Sequence, residues 1–202
     1  MVSQLKEGAT KVHVFGRHLG GARGLLLDLG CGVGETMRFA PAGLRVVGLD
    51  LSLRYCEKAR ATGEQVICGD LAMSLPFLSG AFDAALCSDT FEHLLNPLAL
   101  VLEIHRVLRP GGLLFCHVPN EFSYKSLWQI VRGEGICNRS FFPDAEEWEY
   151  PHVRFFSHKG FRRMLERGGF ALAEDLTNFG RSWRRWLYPL FGSGPSLVVR
   201  RV

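Results

Sequence analysis

The chain has 202 residues, of which 47% are hydrophobic and 22% are charged, and its formal net charge is +4. These values are typical of one globular domain with a substantial core. No apolar run approaches the roughly 20 residues that a membrane-spanning helix needs, and residues 1–20 lack the features of a secretory signal. We therefore expect no transmembrane segment and a cytoplasmic location.

The positive charge is concentrated towards the C-terminus, where residues 153–202 carry ten Lys/Arg and three Asp/Glu. A basic region of this kind is either a solvated face or a site for an anionic partner. We interpret it as a solvated face. No segment resembles a nucleic-acid-binding module, so no nucleic-acid partner is expected.

Apolar runs alternate with amphipathic stretches along the chain. The predicted strands are residues 24–29, 44–49, 65–68, 82–87, 112–118, 170–177 and 196–200. The predicted helices are residues 4–19, 35–40, 52–61, 97–108 and 157–167. Near-continuous apolar strands between helices are typical of a parallel sheet covered on both faces. We predict an α/β fold with a Rossmann-like, doubly wound, mostly parallel seven-stranded sheet whose last strand is antiparallel.

The alternation is interrupted by residues 120–156, a long aromatic and polar segment after the fifth predicted strand. Ligands of open parallel sheets bind beyond the carboxyl ends of the strands, and long loops there are commonly functional. We predict a single domain over residues 1–202, with 120–156 inserted as a lid or substrate wall. Gly133 and Gly135 would let it flex, and Pro151 would fix its return.

The six cysteines, at positions 31, 56, 68, 87, 116 and 137, form no CxxC pair. A zinc site or a thioredoxin-like motif is therefore disfavoured. Several cysteines lie in apolar runs, and we interpret them as buried free thiols.

The first predicted strand leads into "LLLDLGCGVGETM", which places Gly30, Gly32 and Gly34 directly after Asp28. A dinucleotide-binding turn follows the pattern GxGxxG/A, whereas this chain has Glu35 at the third position, where a carboxylate would face the pyrophosphate unfavourably. A nicotinamide oxidoreductase is therefore disfavoured. The spacing DxGxGxG suits a ligand with a zwitterionic amino-acid end, whose ammonium Asp28 can face.

Two further carboxylates follow in register. The motif "VGLDLS" places Asp50 where it can accept hydrogen bonds from both hydroxyls of a ribose, and "CGDL" places Asp70 near an adenine amino group. Each residue also has a structural interpretation, since an aspartate at a strand end can cap a helix or form a turn. The motifs "FDAALCSDTFEHL" and "VLRPGGLLF" complete the set.

Together these motifs, between Leu25 and Val118, resemble the class I S-adenosylmethionine-dependent methyltransferases, especially the type 11/type 23 and ubiquinone-type domains. The resemblance implies S-adenosylmethionine as cofactor, S-adenosylhomocysteine as product and a small-molecule acceptor. It also implies contacts to the methionine part, the ribose, the adenine and the region beneath the methionine end. The methionine part is assigned to Asp28, Gly30, Cys31 and Gly32, and the ribose to Asp50 and Leu51. The adenine is assigned to Asp70 and Leu71, and the region beneath the methionine end to Ser88 and His93.

An alternative is carried by the later motifs "VPN", an aromatic helix, an "RG" turn and "PHVR". These resemble the MetW proteins of methionine biosynthesis. That resemblance implies an accessory cofactor-binding protein that supports a partner enzyme.

Transfer to a hydroxyl requires a base, and histidine is the usual one. We predict His152 as the catalytic base, with His93 and His117 as alternatives. No cluster has metal-ligand spacing in the sequence, so no metal is expected. Aromatic residues in 120–156 suggest an apolar acceptor. The methylated atom (O, N or C) and the oligomeric state do not follow from the sequence.

Overall fold

The computed structural model describes residues 24–35, 43–136, 151–178 and 186–202. Seven strands form one sheet in the order β3-β2-β1-β4-β5-β7-β6. They are β1 (Gly24–Leu29), β2 (Leu44–Asp50), β3 (Val66–Cys68), β4 (Phe82–Ser88), β5 (Leu108–His117), β6 (Phe170–Asp175) and β7 (Ser196–Arg201). The first five strands are mutually parallel, and β7 runs antiparallel to both of its neighbours. The predicted sheet is confirmed.

Four described helices accompany the sheet: α1 (Leu53–Ala61), α2 (Pro97–Val107), α3 (Tyr124–Val131) and α4 (His158–Arg167). A 3-10 turn, Phe91–His93, follows β4. The helices predicted over 52–61 and 157–167 are confirmed, each beginning one residue later because a serine caps it. Ser52 Oγ and Ser157 Oγ accept hydrogen bonds from backbone N–H groups three residues on. The helix predicted over 4–19 lies outside the described residues, as do residues 36–40 of the helix predicted over 35–40.

Strand β5 begins earlier than predicted. The sequence "RPGG" indicated a turn before a strand at Gly112, but Leu108 already pairs with Phe82, and the register shifts between Phe82 and Ala84. A Cβ on Gly112 would lie 2.9 Å from the carbonyl oxygen of Arg109, so the irregularity admits only glycine there. The segment is therefore an irregular part of the strand.

The centre of the sheet is buried on both faces. Leu27, Leu29, Phe115 and Cys116 on β1 and β5 are all fully buried. Strand β1 has β2 on one side and β4 on the other, so the strand order reverses its direction at β1. Such a topological switch point is the usual ligand-binding crevice of these sheets. Within the described part of the chain, no helix has the length and apolar character needed to cross a membrane.

Candidate functional site

The glycine turn after β1 has three glycines with positive φ, at +73°, +54° and +77° for Gly30, Gly32 and Gly34. A Cβ on Gly30 would collide with Thr90 Oγ1, and one on Gly34 would lie 3.0 Å from Glu64 Cγ. A Cβ on Gly32 would meet no atom within 4 Å. Packing within the protein therefore explains Gly30 and Gly34, whereas Gly32 faces open space.

Asp50, at the end of β2, is bonded to this turn. Its Oδ2 accepts a hydrogen bond from the backbone N–H of Gly32 at 2.8 Å, and its Oδ1 accepts one from Ser52 N–H at 2.8 Å. Each carboxylate oxygen has two lone pairs, so both can accept a further hydrogen bond from a ligand hydroxyl. The glycine turn and the Asp50 carboxylate thus lie together at the carboxyl ends of β1 and β2.

Asp28, on β1 beneath the turn, is a buried carboxyl group with only 3% of its surface exposed. Within the described residues its Oδ2 has no hydrogen-bond partner. Burial, and then the charge of Asp50, raise the pKa of Asp28 to about 7. A buried carboxyl oxygen in this state is stabilised by a positive group, and the ammonium of an amino-acid ligand supplies one.

Cys31 is also buried beside these carboxylates. Burial, then Asp28 and Asp50, raise the pKa of its thiol well above the ordinary range, so the group packs as a neutral side chain. Among the other described cysteines, Cys56, Cys87 and Cys116 are buried free thiols. Cys68 is exposed, contrary to the sequence interpretation, because β3 is the edge strand of the sheet.

Leu51, assigned to the ribose, and the two residues assigned to the adenine, Asp70 and Leu71, have different environments. Leu51 is 68% exposed at the carboxyl end of β2. Asp70 is exposed, and its Oδ1 accepts a hydrogen bond from Ala72 N–H at 2.8 Å, so it does form a turn. Leu71 is buried in the core, where its side chain packs against apolar residues.

The end of β4 is joined to the glycine turn by a residue that sequence reasoning missed. Thr90 Oγ1 is 3.4 Å from the carbonyl oxygen of Leu29 and 3.1 Å from that of Ser88. Ser88 Oγ donates to Asp89 Oδ2 at 3.1 Å, and Asp89 has a positive φ of +50°. The threonine therefore holds the ends of β1 and β4 in register at the crevice.

Two of the predicted histidines, His93 and His152, lie against each other beyond the carboxyl end of β4. The rings of His93 and His152 lie edge to face, with centroids 4.8 Å apart. His93 Nδ1 donates to the carbonyl oxygen of Pro151 at 3.1 Å, and His152 Nδ1 is 2.6 Å from Glu121 Oε1. Burial, and then His152, lower the pKa of His93, which disfavours the protonated form of this ring. His117 lies apart, with Nδ1 2.8 Å from Asp89 Oδ1.

The same region holds a set of donor atoms that could take a cation. Glu92, His93 and His152 each offer one oxygen or nitrogen atom, and these atoms lie within 4.8 Å of one another. Spacing along the sequence did not indicate this group, because His152 reaches it from a distant segment. Within the described residues, it is the only group of three such side chains close enough to share a cation.

The predicted insertion is described in two parts, 120–136 and 151–156. Asn120 Nδ2 donates to the carbonyl oxygens of Pro189 and Gly192, at 2.6 and 2.9 Å, and the rings of Tyr124 and Phe191 stack at 5.3 Å. The start of the insertion is thus bonded to the segment before β7. Residues 137–150, with four of the predicted pocket aromatics, lie outside the described residues, so a mobile lid stays a prediction.

The fold brings these carboxylates together at one crevice of an α/β sheet, where they could hold a ligand with a ribose and an amino-acid group. A family model described as a methyltransferase domain matches residues 27–116. This match covers 90 of the 202 residues, and together with the relatives below it supports a class I S-adenosylmethionine-dependent methyltransferase. The comparisons give no support to the MetW alternative.

Two relatives and one solved structure illustrate the relationship. A ubiquinone biosynthesis O-methyltransferase of Chromobacterium violaceum is 29% identical over 176 residues, which cover 81% of this chain and 71% of that one. A thiol S-methyltransferase of Homo sapiens is 30% identical over 148 residues, which cover 64% of this chain. This chain spans only 61% of the human protein's length.

The solved structure is magnesium protoporphyrin IX methyltransferase from Synechocystis PCC 6803 with bound S-adenosylhomocysteine. It matches with a TM-score of 0.70 at 19% identity, over 100% of this chain and 84% of that chain. At this level of identity the match shows a shared fold.

Proposed function

We propose that this protein transfers the methyl group of S-adenosylmethionine to a small-molecule acceptor. The observation that carries the proposal is the buried Asp28 carboxyl, which lies beneath a glycine turn that Asp50 holds and whose Gly32 faces open space. This arrangement fits a ligand with an ammonium at one end and ribose hydroxyls further along. When bound, the cofactor supplies a methyl group on a positively charged sulfur.

The residues that would hold the cofactor follow from their places at the strand ends. Asp28 would face the ammonium, and the backbone from Gly30 to Gly32 would pass close to the methionine part. Asp50 would accept the ribose hydroxyls. Leu51 is the second proposed ribose contact. The adenine is assigned to Asp70 and Leu71, with the burial of Leu71 leaving its backbone as the group that a ligand meets. The methionine end is assigned to Ser88 and His93.

The protein's contribution to the reaction is largely orientation. Charge at sulfur is lost during the transfer, so holding donor and acceptor in line and excluding water matter most, effects worth up to about 7–11 kcal/mol. His152 is the proposed proton acceptor for the incoming group. The acceptor itself, the cytoplasmic location and the absence of a nucleic-acid partner stay predictions.

The proposal is tested by titrating the protein with S-adenosylhomocysteine in a calorimeter and by assaying methyl transfer from methyl-labelled S-adenosylmethionine. We expect one binding site per chain and label appearing in small acceptors such as para-cresol, benzyl mercaptan or benzylamine. Absence of binding would overturn the proposal. Binding without transfer to any acceptor would instead favour the accessory role.

We expect the affinity for S-adenosylhomocysteine to rise several-fold between about pH 6 and pH 7.5. Asp28, with its pKa raised to about 7, is mostly protonated at the lower pH and ionised at the higher one, while an α-amino group remains charged over this range. Asp28→Asn should bind more weakly and lose this dependence. Calorimetry across the pH series in buffers of constant ionic strength measures both.

The same group affects stability with a defined sign. Because the pKa of Asp28 is raised in the folded protein, the folded state binds more protons than the unfolded state between about pH 4 and pH 7, and its stability falls as the pH rises through that window. Asp28→Asn should therefore melt above the wild type near pH 8 and lose the advantage near pH 4. An equal difference at both pH values would show that Asp28 is not the group responsible.

A further inference from the structure

Glu121 is a buried carboxylate that no motif assigned. It lies four residues after β5, only 5% exposed, with Oε1 2.6 Å from His152 Nδ1. A carboxylate only accepts hydrogen bonds, so the short contact places a proton on Nδ1 of the ring. In the neutral ring, Nε2 is then the nitrogen that carries the lone pair.

The segment that carries His152 is fixed at the active-site edge by its neighbours. The backbone N–H groups of Val153 and Arg154 donate to the carbonyl oxygen of Glu92, at 2.8 and 3.1 Å. On the other side, Pro151 accepts the hydrogen bond from His93 Nδ1 at 3.1 Å. These bonds attach the segment to the 3-10 turn after β4, which follows directly from the proposed cofactor residue Ser88.

Among the described residues, three charged or titratable side chains lie close to the His152 ring. Glu121 approaches Nδ1, the His93 ring lies edge to face with centroids 4.8 Å apart, and a Glu92 carboxylate oxygen lies within 4.8 Å of one ring nitrogen of His152. Two buried carboxylates thus lie beside this ring, and the one in contact with Nδ1 sets the orientation and the tautomer of the ring.

We propose that Glu121 is the positioning residue that makes His152 a base, and that the acceptor therefore carries a weakly acidic hydroxyl or thiol. This inference rests on the methyltransferase function proposed above. The acceptor's proton passes to His152 Nε2, and its oxygen or sulfur forms a bond to the methyl carbon. The electron pair of the breaking carbon–sulfur bond stays on the former sulfonium sulfur, which becomes neutral.

The acceptor class follows from what such a pair adds. A hydroxyl or thiol that keeps its proton is a poor nucleophile, and a positioned base typically adds about 10²–10⁴-fold. An amine loses its surplus proton to water before binding and attacks through its own lone pair. A carboxylate-held histidine base therefore raises the rate of transfer to a hydroxyl or thiol strongly, and the rate of transfer to an amine only slightly.

The first arm of the test measures the ring directly, in the protein saturated with S-adenosylhomocysteine. Proton–nitrogen correlation spectra of the histidine rings, assigned with His152→Gln, should show His152 protonated at Nδ1. In Glu121→Gln the amide can donate as well as accept, so a mixture of the two tautomers should appear. A His152 ring protonated at Nε2 in the wild type, or one unaffected by Glu121→Gln, would overturn the proposal.

The second arm measures transfer to para-cresol, benzyl mercaptan and benzylamine, which are similar in size. Glu121→Gln should lower kcat for the cresol or the mercaptan at least about tenfold, with KM nearly unchanged, and Glu121→Asp should restore part of it. Transfer to the amine alone, or equal losses for all three, would overturn the acceptor class. It would leave the proposed function standing, because cofactor binding and transfer are read separately.

A matched control comes from another histidine–carboxylate pair, His158 Nε2 and Asp175 Oδ2 at 2.8 Å, in which the carboxylate lies on the edge strand β6. Asp175→Asn removes the same kind of charge from an edge strand and should leave kcat unchanged. The assays are repeated after EDTA treatment with Mg²⁺ or Zn²⁺ restored. Transfer that requires an added cation would make His152 a ligand and overturn its role as base.

Discussion

Gly32→Val should abolish detectable binding of S-adenosylhomocysteine, a loss of at least about a hundredfold, while the sheet remains folded. The reason is the direction of the missing side chain, because a Cβ at this position enters space with no protein atom within 4 Å. That space lies beside the Asp50 carboxylate, which is bonded to the Gly32 N–H at 2.8 Å. A valine would fill the volume that we assign to the cofactor.

The positive φ of +54° introduces a second effect that must be separated from the first. A β-branched residue in this left-handed region is strained by about 1–2 kcal/mol, so the variant should also melt earlier. Gly63→Val is the matched control, since Gly63 has φ of +89° in the turn after α1 and its Cβ likewise meets no atom within 4 Å. We expect similar destabilisation and unchanged affinity there. Normal binding by Gly32→Val would mean that the glycine serves the turn alone.

The local parts of this site could be predicted from sequence because each one follows directly from a strand. Asp28 and the glycine turn end β1, and Asp50 ends β2, so the parallel sheet brings them to one edge whatever the loops do. Apolar runs and serine caps likewise predicted most strands and three helices to within a few residues. The start of β5 was the exception, since "RPGG" has the composition of a turn although it continues the strand.

The acceptor side of the site could not be predicted in the same way. Glu121 and His152 are 31 residues apart, and His93 and Pro151 are 58 apart. Nothing in their spacing indicates contact, because these pairs depend on how a long insertion returns to the sheet. The histidine could be chosen as a candidate by its chemistry alone, whereas the glutamate that orients it required the fold.

Thr90 and Leu71 illustrate two further limits of sequence reasoning. Thr90 was not a candidate, yet its hydroxyl connects the ends of β1 and β4, and its side chain is the reason that Gly30 has no room for a Cβ. Leu71 was assigned to the adenine, but its side chain is 7% exposed and belongs to the core. Both outcomes depend on packing across the sheet, which motif spacing does not contain.

Asp50→Ala should weaken binding of S-adenosylhomocysteine at least tenfold. Two hydrogen bonds from the ribose hydroxyls to a carboxylate, each worth about 1.5–3 kcal/mol, would be lost together. The change also leaves the Gly32 and Ser52 N–H groups without the oxygens that accept from them at 2.8 Å. Asp50→Asn keeps one acceptor oxygen and should fall between the wild type and the alanine variant.

Asp175→Ala is the control for the structural share of this loss. Asp175 also ends a strand, and its Oδ1 accepts from Thr177 N–H at 3.0 Å, as Asp50 Oδ1 accepts from Ser52. It lies on β6, at the opposite edge of the sheet from the β2–β3 side. Calorimetric titration of both variants, with melting temperatures measured alongside, should show a loss of affinity for Asp50→Ala alone. Among the described residues, Asp50 is the side chain that accepts the hydrogen bond from Gly32 N–H. Unchanged affinity of a folded Asp50→Ala protein would therefore contradict the ribose assignment.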